Sequence, residues 1–370
     1  MKKIGHIRAL VIDDSAFSRQ VITRMLSSSP LVEVVGVARD GEDALRKTLH
    51  FEPDLITLDL EMPKMDGFTF LRLVMSKRPT PVIVISGRSG EDDVFKALEL
   101  GAVDFIAKPT SRATPDLEMI SQELIRKVHA LRELRIDKVQ ARIAAMPSVI
   151  GYEDIHTPPK VVAIGSSTGG PAALMQLFGC FSQAPHCAFV VAQHMPEGFT
   201  RGFAERLNRL TPMRAAEAQG GEEPAPGTIL VAPGGHHLEF DARRGRVSTR
   251  VVAKRSAEKY APSVDRLFGS AAKHYGRDLV AVVLTGMGDD GRRGVREVSG
   301  SGGLVIAESE ETAVIFGMPQ QAIRTGMVDM VLPLGDIAAS IQSGVGQATA
   351  GPMAGPKKGF AAAFAGRGRL

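Results

Sequence analysis

The stretch Lys160-Val161-Val162-Ala163-Ile164-Gly165-Ser166-Ser167-Thr168-Gly169-Gly170-Pro171 decides the fold. A short apolar run bounded by glycine reads as a buried strand. Pro171 suits the first position of a helix, and Leu174, Leu177, Phe178 and Phe181 then fall on one helical face. Strand, sharp turn and helix make one βα unit of a parallel sheet. Two further apolar runs, Ala188–Gln193 and Leu279–Thr285, are followed by His194 and by Asp290. Residues just past the carboxyl ends of neighbouring parallel strands converge on one crevice, so this pattern places a hydroxyl, an imidazole and a carboxylate in one pocket.

Working outward, the βα pattern extends from 160 to 342, with Phe199, Phe203 and Leu207 on one helix and Val264, Leu267, Phe268 and Ala271 on another beginning near Ser263. Towards the N-terminus, the runs Ile7–Ile12, Val32–Val37, Leu55–Leu58, Pro81–Ile85 and Val103–Ile106 alternate with helical spacing, giving five more βα units. Ile120, Leu124, Val128 and Leu131 carry the last helix into a charged segment. The expected fold is α/β: two doubly wound parallel-sheet domains, 1–125 and 160–342, joined by a partly helical linker, 126–159. The Gly/Ala/Pro-rich tail, 343–370, is expected to be disordered.

Composition excludes several classes. With 370 residues, 44% hydrophobic and 23% charged, the chain reads as two globular domains. Lys357, Lys358, Arg367 and Arg369 in the tail account for the whole formal charge of +4, so no basic face for nucleic acid is expected. Met1 to Arg8 has no apolar signal-peptide core and no run is long enough to span a bilayer, so a cytoplasmic protein without direct membrane insertion is expected. Cys180 and Cys187 read as two small buried residues, not a disulfide framework or a zinc site.

In the first half, Asp13, Asp14, Asp59, Ser86 and Lys108 all follow strand runs on the same sheet edge. Clustered carboxylates need a cation, and hard oxygen ligands suit Mg²⁺. One carboxylate can accept a phosphoryl group, with Lys108 and Ser86 meeting its oxygens. Singly, each acid reads as a helix cap. Together they resemble a response-regulator receiver domain: Asp13, Asp14, Asp59, Ser86 and Lys108-Pro109 match its motif, and Met62-Pro63-Lys64-Met65-Asp66-Gly67 is similar to its loop. Phe105 matches its aromatic switch position. The resemblance implies a flavodoxin-like fold, Mg²⁺ at Asp13, Asp14 and Asp59, and phosphorylation of Asp59 by a histidine kinase.

In the second half, each residue carries a competing reading. Ser166 to Thr168 can cap the helix, and the Gly-rich turn can hold a phosphate. His194 has His236 and His237 as rivals, though adjacent side chains diverge and make a poor metal pair. Gly286, Gly288 and Gly291 form G-x-G-x-x-G, and Glu308 ends the next strand, a formal dinucleotide fingerprint. Asp289 and Asp290 stand against that reading, since a pyrophosphate must sit there. A regulator that acts only by binding DNA or protein needs no triad, and a basic recognition helix is not evident.

Residues 160–342 resemble the catalytic domain of the CheB family of chemotaxis protein-glutamate methylesterases. The matching segments are Gly165–Pro171, Gln193-His194-Met195-Pro196, Ala232-Pro233-Gly234-Gly235, Pro262-Ser263-Val264-Asp265, Thr285–Gly291 and Phe316-Gly317-Met318-Pro319. The resemblance implies a Rossmann-like domain in which Ser167 is nucleophile, His194 general base and Asp290 its orienting acid, with the Met287 N–H serving the oxyanion. It further implies hydrolysis of glutamate γ-methyl esters and deamidation of glutamines on chemoreceptors, no cofactor in this domain, and control by receiver phosphorylation. Ser166 stands where the family usually has alanine, so Ser166 is a rival nucleophile.

Overall fold

The computed structural model describes residues 6–86, 91–108, 114–131, 160–243 and 245–342. Pro109, most of the expected linker and all of the expected tail lie outside the described residues.

Residues with apolar, β-branched runs form the strands. β1 (Ile7–Ile12), β2 (Val32–Ala38), β3 (Leu55–Leu58), β4 (Val82–Ser86) and β5 (Asp104–Ala107) pair in parallel in the order β2-β1-β3-β4-β5. β3 and β4 are buried along their whole length, as strands covered by helices on both faces must be. The covering helices are α1 (Ala16–Ser27), α2 (Gly41–Phe51), α3 (Gly67–Lys77), α4 (Glu91–Glu99) and α5 (Thr114–Ala130). Ser15, Asp40 and Asp66 cap the first three, each side chain accepting a backbone N–H from the first turn. α5 runs unbroken past residue 125 to Ala130, because Leu124 and Val128 are buried together in the core. The expected boundary at 125 therefore cuts through one helix.

The second sheet contains β6 (Val161–Ser166), β7 (Ala188–Gln193), β8 (Arg214–Glu217), β9 (Thr228–Val231), β12 (Leu279–Val283), β13 (Leu304–Glu308) and β14 (Met330–Leu332). Every pairing is parallel, in the order β14-β13-β12-β6-β7-β9-β8. Its helices are α6 (Gly170–Gly179), α7 (Thr200–Leu210), α8 (Val264–Tyr275), α9 (Arg292–Gly300), α10 (Gly317–Ile323) and α11 (Leu334–Gln342). An antiparallel hairpin, β10 (His236–Arg243) with β11 (Arg246–Ala253), packs on α8. From β6 the chain builds outward through β7, then returns to the other side of β6 at β12. This reversal opens a crevice beyond the carboxyl ends of β6, β7 and β12.

The domains touch through apolar groups. Phe105 of β5 meets Phe199 at 4.8 Å between ring centroids, and Phe95 of α4 meets Phe203 of α7 at 5.4 Å. Arg206 binds both oxygens of Glu99. Nearer the crevice, Val103 and Ala130 pack with Val314 and Ile315, and Leu131 and Met287 join them.

Candidate active site

The backbone leaves β6 through Ser167 and Thr168 and enters α6 at Gly169, whose φ of +77° suits a residue without Cβ. Ser167 N donates to Thr285 O at 3.0 Å, and its carbonyl accepts Gly170 N at 2.7 Å. A third hold comes from Gln193, 1% exposed. Its Nε2 donates to the carbonyls of Ser167 and His194, both at 3.0 Å, and its Oε1 accepts the Ser166 hydroxyl at 2.6 Å. One amide thus ties the serine turn to the histidine turn. A Cβ at residue 170 would lie 2.0 Å from Gln193 Oε1, so only glycine leaves room for this clamp.

His194 extends from the end of β7, its side chain 6% exposed, and Nε2 lies 2.8 Å from Asp290 Oδ2. Asp290 sits over the start of α8. Its oxygens accept Val264 N at 2.8 Å, Asp265 N at 2.9 Å and the Ser263 hydroxyl at 3.0 Å. Burial pushes the carboxyl up, but the His194 bond and charge and the backbone N–H groups outweigh it and hold the carboxyl below its ordinary value. An ionised Asp290 only accepts, so the N–H at Nε2 faces it, and in the neutral imidazole the lone pair is then on Nδ1. Nδ1 is buried and has no hydrogen-bond partner among the described residues.

Of the three residues singled out in the sequence, the structure joins His194 to Asp290 by a hydrogen bond. Among the described residues none joins the Ser167 hydroxyl to His194, although the two turns are adjacent, His194 N donating to Ser166 O at 3.0 Å. The Gly286 turn closes over the serine: a Cβ at 286 would be 2.8 Å from Ser167 Cβ and 2.4 Å from Met318 Sδ. Glu308 is fully buried, its Oε2 accepting Thr285 N at 2.7 Å and its Oε1 the Thr312 hydroxyl at 3.0 Å. The dinucleotide reading therefore fails, because both its glycine turn and its acid are engaged inside the protein.

The family model described as CheB methylesterase matches residues 162–341, and that for the response regulator receiver domain matches residues 9–116. A Geobacter sulfurreducens protein named protein-glutamate methylesterase/protein-glutamine glutaminase 3 is 47% identical over 357 residues, 90% of this chain and 96% of that one. The chain belongs to this methylesterase family. A Myxococcus xanthus relative of the same name, numbered 1, is 48% identical over 92% of this chain and 98% of its own. The solved Thermotoga maritima CheB methylesterase catalytic domain is 40% identical, covering 50% of this chain and 98% of that one, with a TM-score of 0.48.

The second polar cluster of this CheB family chain lies at the carboxyl edge of the receiver sheet. Asp13, Asp14 and Asp59 bring ligand oxygens within 4.8 Å of one another, with Asp13 and Asp59 buried. Lys108 Nζ lies 2.7 Å from Asp59 Oδ2 and 3.1 Å from Asp13 Oδ2, the second contact being an ion pair without hydrogen-bond alignment. Burial, and then the charge of Asp59, push the Asp13 carboxyl above its ordinary value. Burial pulls Lys108 down, but the two carboxylates outweigh it and hold it above its ordinary value. Crowded hard oxygen donors fit Mg²⁺. Ser86 ends β4 on the same edge, 6% exposed.

Three residues of the site escaped the sequence reading. Gln193 stood beside His194 but its clamp depends on strand register. Ser263 marks a helix start in the sequence, and its hydroxyl also reaches Asp290. Tyr260 precedes that helix, and its ring stacks on the His194 ring with centroids 4.5 Å apart and planes 8° from parallel.

Proposed function

We propose that the chain is a phosphorylation-regulated methylesterase that hydrolyses glutamate γ-methyl esters, and deamidates glutamines, on chemoreceptors during chemotaxis. The observation carrying the reading is the buried His194–Asp290 pair, whose Nδ1 has no partner among the described residues, on a turn next to the one that bears Ser167. Family membership supplies the substrate class.

The Ser167 hydroxyl attacks the ester carbonyl carbon as His194 Nδ1 takes its proton. Charge develops on the carbonyl oxygen, where the Met287 N–H, bonded to no described residue, donates to it. Removing one such donor costs about 10²–10³-fold in kcat. The tetrahedral intermediate collapses, methanol leaves with the proton from Nδ1, and water, deprotonated by the same nitrogen, hydrolyses the acyl-enzyme. With a glutamine side chain ammonia leaves instead. Asp290 holds the imidazole and offsets its positive charge. Ser166 is spoken for by Gln193 and takes no part as nucleophile.

In the receiver, Asp59 accepts a phosphoryl group from a histidine kinase, with Lys108 and Ser86 meeting its oxygens. Asp13, Asp14 and Asp59 would hold Mg²⁺, which supplies charge neutralisation for the transfer. The receiver contacts at Val314, Ile315 and Met287 border the crevice, so phosphorylation that loosens them shifts the population towards an open site. The protein works in the cytoplasm; no helix among the described residues is long and apolar enough to cross a membrane. The test is methanol release from methylated receptor membranes: Ser167→Ala abolishes it, and persistence at the wild-type rate overturns the assignment.

A further inference from the structure

The partner of the His194 ring is unexplained by the triad. Asp290 fixes one direction within the imidazole plane, but a single bond to Nε2 leaves the plane itself free to tilt about it. Tyr260 removes that freedom, since a parallel ring at 4.5 Å blocks rotation of the imidazole out of its plane. Tyr260 also lies across the turn bearing Met287: a Cβ at Gly288 would be 2.5 Å from the Tyr260 hydroxyl oxygen.

The ring is itself held from both sides. Two residues earlier, Glu258 accepts His237 Nε2 at 2.9 Å, Arg266 Nη1 at 2.6 Å and Arg255 N at 2.7 Å, which fastens the segment to β10 and α8. Three residues later, Ser263 caps α8 and donates to Asp290. The receiver reaches the same ring. The Arg126 guanidinium of α5 lies 5.6 Å from the Tyr260 centroid, and Lys259 Nζ lies 4.7 Å from it.

We propose that Tyr260 is a positioning residue for His194, and that its ring is the point at which the docked receiver, through Arg126, bears on the histidine. The inference rests on the Ser167-His194-Asp290 reading. Stacking fixes the plane of the imidazole, and with it the direction of Nδ1, and offers its π face to the imidazolium that forms when Nδ1 takes the proton. A guanidinium on the same ring draws on the same quadrupole and adds a like charge, so the docked receiver opposes that proton uptake. Release of the receiver removes the opposition without altering the triad.

The test uses full-length protein without phosphodonor, with kcat and KM measured by methanol release from methylated chemoreceptor membranes. Tyr260→Phe keeps kcat within twofold. Tyr260→Leu lowers kcat at least tenfold while KM stays within twofold, and Tyr260→Met, closer in volume, does the same if the leucine variant folds poorly. Arg126→Gln raises kcat severalfold in the Tyr260 background and leaves it unchanged in the Tyr260→Leu background. Wild-type kcat in folded Tyr260→Leu or Tyr260→Met, a change confined to KM, or an equal Arg126→Gln effect in both backgrounds overturns the proposal. Ser167→Ala, assayed alongside, separates the two levels: its retained activity removes the triad itself, whereas its inactivity beside an active Tyr260→Leu condemns only the tyrosine's role.

Discussion

Replacing Ser166 by alanine separates two adjacent hydroxyls that the sequence leaves as competitors. Ser166 is fully buried and donates to Gln193 Oε1 at 2.6 Å, so the substitution strips a buried amide oxygen of its donor. An orphaned neutral acceptor costs about 1–3 kcal/mol. For a domain of roughly 150–250 residues each kcal/mol lowers Tm by about 2–4 °C, so the melting transition of the catalytic domain falls by roughly 2–12 °C. Catalysis changes little, since Gln193 Nε2 still binds the carbonyls of Ser167 and His194. We expect kcat within about threefold of wild type, a barrier change under about 1 kcal/mol. Methanol release and calorimetry on the same preparation give both numbers. A fall of about 10⁶-fold in a folded variant, the loss expected on deleting a nucleophile, refutes the assignment of Ser167; an unchanged Tm refutes the clamp.

Asp290→Asn leaves the shape but puts an amide donor at one of its two oxygens, either the one that accepts His194 Nε2–H and Val264 N or the one that accepts Asp265 N and the Ser263 hydroxyl; kcat falls by about 10³–10⁴-fold in a methanol-release assay. Because the Asp290 carboxyl is held below its ordinary value, its stabilisation is present above the ordinary range near pH 4 and is lost as pH falls through the lowered value; the stability difference from Asn, followed by denaturant titration, shrinks only there. Mg²⁺ at about a hundred times its Kd stabilises the receiver by about 2.7 kcal/mol in thermal melts, and Asp13→Asn removes most of that gain. Arg206→Glu replaces the partly exposed pair with Glu99 by a repulsion. A shift of about 1 kcal/mol moves the docking equilibrium about fivefold, so activity without phosphodonor rises severalfold and phosphodonor stimulation shrinks.

The parallel α/β architecture and the strand-end positions of Ser167, His194 and Asp290 are legible because central parallel strands must be apolar throughout, and their ends are where polar chemistry begins. What was not legible depends on contacts between distant segments. Arg292–Gly303 reads as glycine-rich and weakly helical, yet Arg292–Gly300 is a helix, because Asp265 accepts Gly291 N at 3.0 Å and Gly294 N at 2.7 Å. That cap lies on another helix and leaves no local signature. The fingerprint Gly286, Gly288 and Gly291 with Glu308 was misleading for the same reason: the acid's partner is Thr285 N, across the sheet. The Gln193 clamp needs β6 and β7 in register, and the Tyr260 stack needs a loop fastened by His237 from the hairpin, which no periodicity announced.

The central claim is that one hydroxyl, at residue 167, carries the acyl group. A serine-directed fluorophosphonate probe, followed by peptide mass spectrometry of the labelled full-length protein, tests it directly. Label confined to Ser167, and lost when His194→Ala or Asp290→Asn removes the base or its partner, is the result this account requires. Label on Ser166, or an active protein that takes up none, contradicts it.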